Sequence, residues 1–136
     1  MLKGSCLCGA LRYEIDGALH AIHHCHCSLC RKAHGAAFST FGDVPVDAFR
    51  LVAGESDLER YRSSPQVERS FCGVCGSHLT FRFDGLPQTV WVAIATLDED
   101  PQKRPSGHIF AASKAAWFEI TDGLPQWDEY PPTDES

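Results

Sequence analysis

Phe71-Cys72-Gly73-Val74-Cys75-Gly76-Ser77, running on into His78-Leu79-Thr80-Phe81-Arg82-Phe83, carries the two signals that decide the fold. The first half is a C-x-x-C turn. Its glycines permit left-handed backbone angles and close approach, so two sulfurs converge while backbone N–H groups face them. The second half alternates, with Leu79, Phe81 and Phe83 on one face, the period of a strand packed on a core. Together they predict a β domain that holds metal through cysteine. Further on, residues 89–95 put Val90, Val92 and Ile94 on one face and Trp91 on the other, and Asp84-Gly85-Leu86-Pro87 supplies the turn between these two core strands.

Toward the amino terminus, Leu11, Tyr13 and Ile15 alternate with Arg12, Glu14 and Asp16 as a half-buried strand that Gly17 ends. Residues 19–24 form an extended stretch leading into Cys25-His26-Cys27-Ser28-Leu29-Cys30, where a short helical segment begins that Gly35 terminates. More strands are expected at 37–41, 49–53, 58–63 and 67–71, separated by Pro45, Gly54 and Pro65. Residues 97–107 read as a long loop, 117–120 as a final short strand, and 127–136 as an acidic, proline-rich tail lying loosely on the surface. No internal repeat is visible.

The 136 residues fit a single domain over 1–136, ordered over about 4–132. With 43% hydrophobic residues, eight Phe and three Trp, a core forms without disulfides. Eighteen acidic against twelve basic residues give a net charge of -6, and no Lys/Arg run exists to collect phosphates, which argues against nucleic acid as a partner. No stretch has signal-peptide character or approaches the roughly 18 apolar residues of a membrane helix, so a soluble, cytoplasmic protein with no membrane partner is expected. Oligomeric state is not legible.

Seven cysteines in a reducing compartment point to metal, and their odd number defeats a complete disulfide framework. They fall as Cys6-x-Cys8, Cys25-x-Cys27-x-x-Cys30 and Cys72-x-x-Cys75. Four thiolates close the shell of Zn²⁺ and make a structural site, whereas three leave a position open. Spacing admits two partitions. One joins Cys6 and Cys8 to Cys72 and Cys75 and leaves Cys25, Cys27 and Cys30 as an open, local site. The other builds a zinc ribbon from Cys27, Cys30, Cys72 and Cys75 and leaves Cys6, Cys8 and Cys25 unassigned. The first uses every cysteine and is favoured.

Gly4-Ser5-Cys6-Leu7-Cys8-Gly9-Ala10-Leu11-Arg12-Tyr13, Cys25-His26-Cys27-Ser28-Leu29-Cys30-Arg31-Lys32 and Phe71–Ser77 together resemble the glutathione-dependent formaldehyde-activating (GFA) family, also named for centromere protein V. Gly107-His108-Ile109-Phe110 and Ser113-Lys114-Ala115-Ala116-Trp117 resemble that family's C-terminal half. The resemblance implies a mainly β, β-tent fold of two antiparallel sheets with two zinc sites at the sheet edges. It implies a structural zinc on Cys6, Cys8, Cys72 and Cys75 and a catalytic zinc on Cys25, Cys27 and Cys30. It also implies a carbon–sulfur lyase that, run backwards, joins a small-molecule thiol such as glutathione to formaldehyde or a related aldehyde.

Other residues carry weaker signals. His26, flanked by His23 and His24, points opposite to its cysteine neighbours if the segment is extended, which makes it a poor ligand for the same ion. His78 and His108 read as ordinary hydrogen-bonded histidines. Arg31, Lys32, Arg69 and Lys114 are either partners for the carboxylates of a peptide thiol or plain surface charges. Phe38, Phe41, Phe71, Phe81, Phe83 and Trp117 read as core in preference to a substrate platform. Two rival functions remain, a non-catalytic zinc module and a methionine sulfoxide reductase; the second needs a redox cysteine outside the zinc sites.

Overall fold

The computed structural model of the chain describes residues 1–132, so the last four residues of the acidic tail lie outside the described part. In chain order come β1 (Leu2–Ser5), β2 (Arg12–Ile15), β3 (Ile22–Cys25), α1 (Ser28–His34), β4 (Ser39–Pro45) and β5 (Phe49–Ala53). They are followed by β6 (Leu58–Ser64), β7 (Val67–Cys72), β8 (His78–Phe83), β9 (Thr89–Ala93) and β10 (Gly107–Ile109). The strands make two sheets, a small one ordered β1-β2-β5 and a seven-stranded one ordered β10-β3-β4-β9-β8-β7-β6. The expected mainly β, two-sheet architecture is therefore what the chain adopts. All pairings are antiparallel except β10 with β3, which is parallel.

The principal core lies between the sheets. Leu11, Tyr13 and Ile15 from the small sheet side meet Ile22, Val44, Val90 and Val92 of the large one. The alternation of β2 is what delivers Tyr13 and Ile15 to this layer while Arg12 stays exposed. The opposite face of the large sheet carries a second cluster, Cys25, Cys30, Phe41 and Ala93, with Phe81, Trp91 and Phe110 packed on it. Trp91 thus points away from Val90 and Val92, as its period requires.

Leu79, Phe81 and Phe83 do not share a face. The β7–β8 register shifts between Ser70↔Thr80 and Phe71↔His78, a bulge that turns Leu79 into the principal core while Phe81 and Phe83 face the other way. Residues 117–120 are not a strand, and Trp117 is 73% exposed instead of contributing to the core. The segment after residue 125 is not loose where it is described. Trp127 and His108 exchange backbone hydrogen bonds with their neighbours across a bridge beside β10, and Phe110 donates to the Glu129 carbonyl at 2.9 Å. No helix among the described residues is long and apolar enough to cross a membrane.

Gly54 links β5 to β6 at φ +84°, and a Cβ built there would meet the Ala10 carbonyl oxygen at 2.1 Å. Both the left-handed backbone and the close approach to the loop that carries Cys6 and Cys8 need glycine. Gly54→Ala should cost about 1–3 kcal/mol. Chemical denaturation checks this, with a lowered midpoint at unchanged slope as the expected outcome.

Candidate metal centres and the cleft beside them

Cys6 and Cys8 lie in the β1–β2 loop, Cys72 ends β7, and Cys75 lies in the turn into β8. Their sulfurs all lie within 4.8 Å of one another. Cys6 and Cys8 Sγ are 3.6 Å apart, and Cys8 and Cys72 Sγ 3.9 Å. Thiolates held at about 2.3 Å by a tetrahedral ion sit roughly 3.8 Å from each other, so this spacing fits a four-sulfur zinc site. Backbone N–H groups point at the sulfurs, Leu11 to Cys6 at 3.3 Å and Val74 to Cys72 at 3.4 Å. Gly76 supplies the left-handed turn at φ +82°, and its N–H closes the knuckle on the Cys72 carbonyl at 2.8 Å. Gly73 supplies the close approach, its N–H donating to the Asp57 carbonyl at 2.8 Å. The Ser77 hydroxyl, 3.3 Å from Cys75 Sγ, leads the hydrogen bonds that pull that thiol down to about 5.

Cys25 ends β3, Cys27 caps α1, and Cys30 sits in the first turn of α1, which gathers three sulfurs at the amino end of one short helix. Cys27 Sγ accepts from the Cys30 N–H at 3.3 Å, so the candidate ligand is also the cap. Hydrogen bonds from Cys25 and Cys27 hold the Cys30 thiol well below its ordinary range and push Cys25 up in return. Three adjacent thiolates would repel one another, a conflict that a divalent cation removes. The structure therefore brings together the four-plus-three grouping, and it keeps the ribbon grouping of Cys27 and Cys30 with Cys72 and Cys75 apart.

A cleft of about 640 Å³ opens directly over Cys25, Cys27 and Cys30, and none of the other four cysteines lines it. Phe41, Phe81 and Phe83, expected to be core alone, wall this cleft together with Trp91. Arg69 lines it too. It is 5% exposed and no surface charge: Nη2 donates to Cys30 Sγ at 3.5 Å, Nε to the Ser63 hydroxyl at 3.0 Å, and the guanidinium lies 5.7 Å from the Phe81 ring centroid. Arg31 and Lys114 instead hold backbone carbonyls, Arg31 those of His26 and Ser113, Lys114 those of Ala115 and Phe118. Neither they nor Lys32 line the cleft.

His26 is fully buried and turned away from the sulfurs. Its Nε2 lies 2.8 Å from His108 Nδ1, and His108 Nε2 lies 2.8 Å from Asp122 Oδ2. With the carboxylate accepting from His108 Nε2–H, His108 Nδ1 accepts from His26 Nε2–H. Only the His26 Nδ1 lone pair is then left over, a buried atom with no hydrogen-bond partner among the described residues. His24, whose Nδ1 is 2.8 Å from the Thr40 hydroxyl, gathers with His108 and Asp122 in a third cluster of ligand-type atoms. Asp122 escapes sequence reasoning, because only the parallel β10–β3 pairing brings its segment here. His78 stacks on Phe71 and meets the His34 ring at a tilt, away from the cleft.

The sequence profile of the family described as "Glutathione-dependent formaldehyde-activating enzyme" (GFA) matches residues 1–113. A Halomonas elongata protein that carries the family's name is 30% identical over 130 residues, which span 88% of this chain and 81% of that protein. A Phaeosphaeria nodorum protein of the same name is 38% identical over 76 residues, 54% of this chain, but the match spans only 40% of its own length. Among solved structures, a Rhodobacter sphaeroides protein superposes with a TM-score of 0.65 at 23% identity, covering 78% of this chain and 98% of that one, a likeness of fold. Fold and site thus define a small two-sheet β protein with two preformed cysteine clusters. The chain belongs to the glutathione-dependent formaldehyde-activating enzyme family.

The grouping predicts that the two clusters fail differently. With a metal on each cluster, Cys72→Ser would break a link between the two sheets and should lower the melting temperature severely. Cys27→Ser keeps a side-chain cap on α1, should stay folded and should lose about one bound metal. Calorimetry and metal analysis of both variants check this, and equal, severe unfolding of both would contradict it.

A pH dependence follows from three histidines that are wholly or partly buried. Burial pushes His24, His26 and His34 down to about 4, below the roughly 6.5 of an unfolded chain. The folded state then binds fewer protons, so this stability is fully present above about pH 6.5 and is lost as pH falls from there toward about 4. His34→Phe, which keeps the ring against Phe41, should shrink the loss; melting curves of both proteins across that range check it.

Proposed function

We propose that the chain is a zinc-dependent enzyme of carbon–sulfur bond chemistry, a lyase acting on the adduct of a small thiol and an aldehyde. The observation that carries this reading is the contrast between the clusters: four sulfurs form a closed set, while three sulfurs sit under an open cleft. In this reading Cys6, Cys8, Cys72 and Cys75 hold a structural zinc, and Cys25, Cys27 and Cys30 hold the catalytic one. A zinc ion on the three cysteines would supply a Lewis acid that lowers the pKa of an incoming thiol at its open position.

The remaining work falls to the chain. Arg69 donates to the Cys30 sulfur and offsets part of the negative charge that three thiolates accumulate, orienting one ligand from behind. The phenylalanine rings of the walls offer no hydrogen bonds on the flanks of the site, so that a thiolate there is less hydrated than in bulk water. In the synthetic direction the sulfur attacks the aldehyde carbon, a C–S bond forms, the C=O π bond opens to the oxygen, and the thiol proton ends on that oxygen. The lyase direction reverses each step. Glutathione and formaldehyde are the pair in the family's description. The reading requires reduced cysteines, which goes with a cytoplasmic setting. All seven cysteines fall into the two clusters, so a sulfoxide reductase has no cysteine to spare.

Purified protein is expected to carry two zinc ions and to form thiol–aldehyde adducts detectable by NMR. Arg69→Met should keep the fold and lower zinc affinity at the three-cysteine cluster, or turnover, by about 10–100-fold. Two zinc ions with a permanently filled fourth position and no turnover on any thiol–aldehyde pair would replace this reading with that of a binding module.

A further inference from the structure

The cleft over Cys25, Cys27 and Cys30 has the size of pockets that enclose small organic molecules, at about 640 Å³. Its walls are aromatic. Phe81 and Trp91 stack with centroids 4.8 Å apart and planes 5° from parallel, and Phe41 meets Phe81 edge-on at 4.7 Å. Phe110 and Tyr130 close the other side as a T-shaped pair at 5.0 Å. The register shift that sends Leu79 to the core is what turns Phe81 and Phe83 toward this space.

Charge is scarce in the lining. Among the described residues no Asp, Glu or Lys lines the cleft, and Arg69 is the one guanidinium there. Two of the three nitrogens of Arg69 are engaged by Ser63 and Cys30, and only the buried Nη1 lacks a partner among the described residues. Glutathione carries two carboxylates and an ammonium at neutral pH. One carboxylate finds the positive charge of Arg69; for the second carboxylate and the ammonium the described lining offers no further Arg or Lys and no Asp or Glu, leaving His23 and the hydroxyls of Ser28, Ser113 and Tyr130, and a poorly paired charge is costly to take out of water. An aromatic ring has the opposite balance, since it gains apolar contact and stacking on Phe81 and Trp91 and needs no ionic partner.

Resting on the carbon–sulfur reading above, we infer that the adduct handled by this chain is built on a thiol that carries an aromatic ring, the ring in the cleft and at most one negative charge set against Arg69. The sulfur lies at the three-cysteine cluster and the aldehyde-derived carbon beside it, so bond making and breaking follow the balance already given. A charged tripeptide thiol is the poorer substrate.

Titration calorimetry of the zinc-loaded full chain with phenylmethanethiol, phenylmethanol and glutathione tests this. Phenylmethanethiol should bind at least about tenfold more tightly than glutathione, and phenylmethanol, which has the ring without the sulfur, should compete with it. Glutathione binding as tightly or more tightly overturns the inference, as does failure of both ring compounds to bind. Cys27→Ser separates the two readings. Loss of the thiol's advantage over the alcohol in that variant upholds both; an unchanged advantage with the alcohol still bound overturns the carbon–sulfur reading while upholding the aromatic cleft. Tyr130→Ala, at a residue 68% exposed and so of little consequence for folding, should weaken phenylmethanol at least about threefold and leave glutathione unchanged. Unchanged phenylmethanol binding in that variant overturns the placement of the ring.

Discussion

The convergence of Cys6 and Cys8 with Cys72 and Cys75 is the contact on which the rest of the molecule leans. The small sheet has strands of four, four and five residues, too short to be stable alone. It stays on the large sheet through the layer around Leu11, Tyr13 and Ile15, and its loop is tied to the β7–β8 knuckle by sulfurs 64 residues apart in the chain. A metal at that point closes a long loop, where a cross-link removes the most conformational freedom from the unfolded chain. The knuckle in turn fixes the start of β8, and the bulge there decides which side chains reach the core and which reach the cleft.

The three-cysteine cluster depends on a different economy of structure. Its residues lie within one strand end and one helical turn, so it needs little from the distant chain. What the distant chain adds is Arg69, a buried cation tolerable because a sulfur of low pKa lies beside it. The two clusters thus differ in reach as well as in cysteine number.

The sequence makes some of this legible and hides the rest for physical reasons. The C-x-x-C knuckle, the alternation through Leu11, Tyr13 and Ile15 and the helix stop at Gly35 are local patterns, and each appears where it is expected, Gly35 at φ +58°. The short strands β1 and β10 have too few residues to show a period. The parallel partner of β3 arrives more than 80 residues later in the chain, and with it the His26–His108–Asp122 chain, which no local reading joins. Phe81 and Phe83 were legible as a strand face but not as a cleft wall, because a one-residue bulge changes the face without changing the pattern. Trp117 misled in the plainest way, since a large aromatic is no assurance of burial.

The pairing of early with late segments bears on how the chain is made. β3 waits for β10, and Gly4 bridges to Leu97 while the Lys3 carbonyl accepts from the Asp98 N–H at 2.8 Å. During synthesis the first strands therefore leave the ribosome long before their partners exist. The Cys25–Cys30 turn is complete early, whereas Cys6 and Cys8 have no counterparts until Cys75 emerges. Vectorial synthesis would then load the local cluster first and close the intersheet cluster afterward, so the nascent protein passes through a stage with unshielded thiols and an unfinished sheet edge.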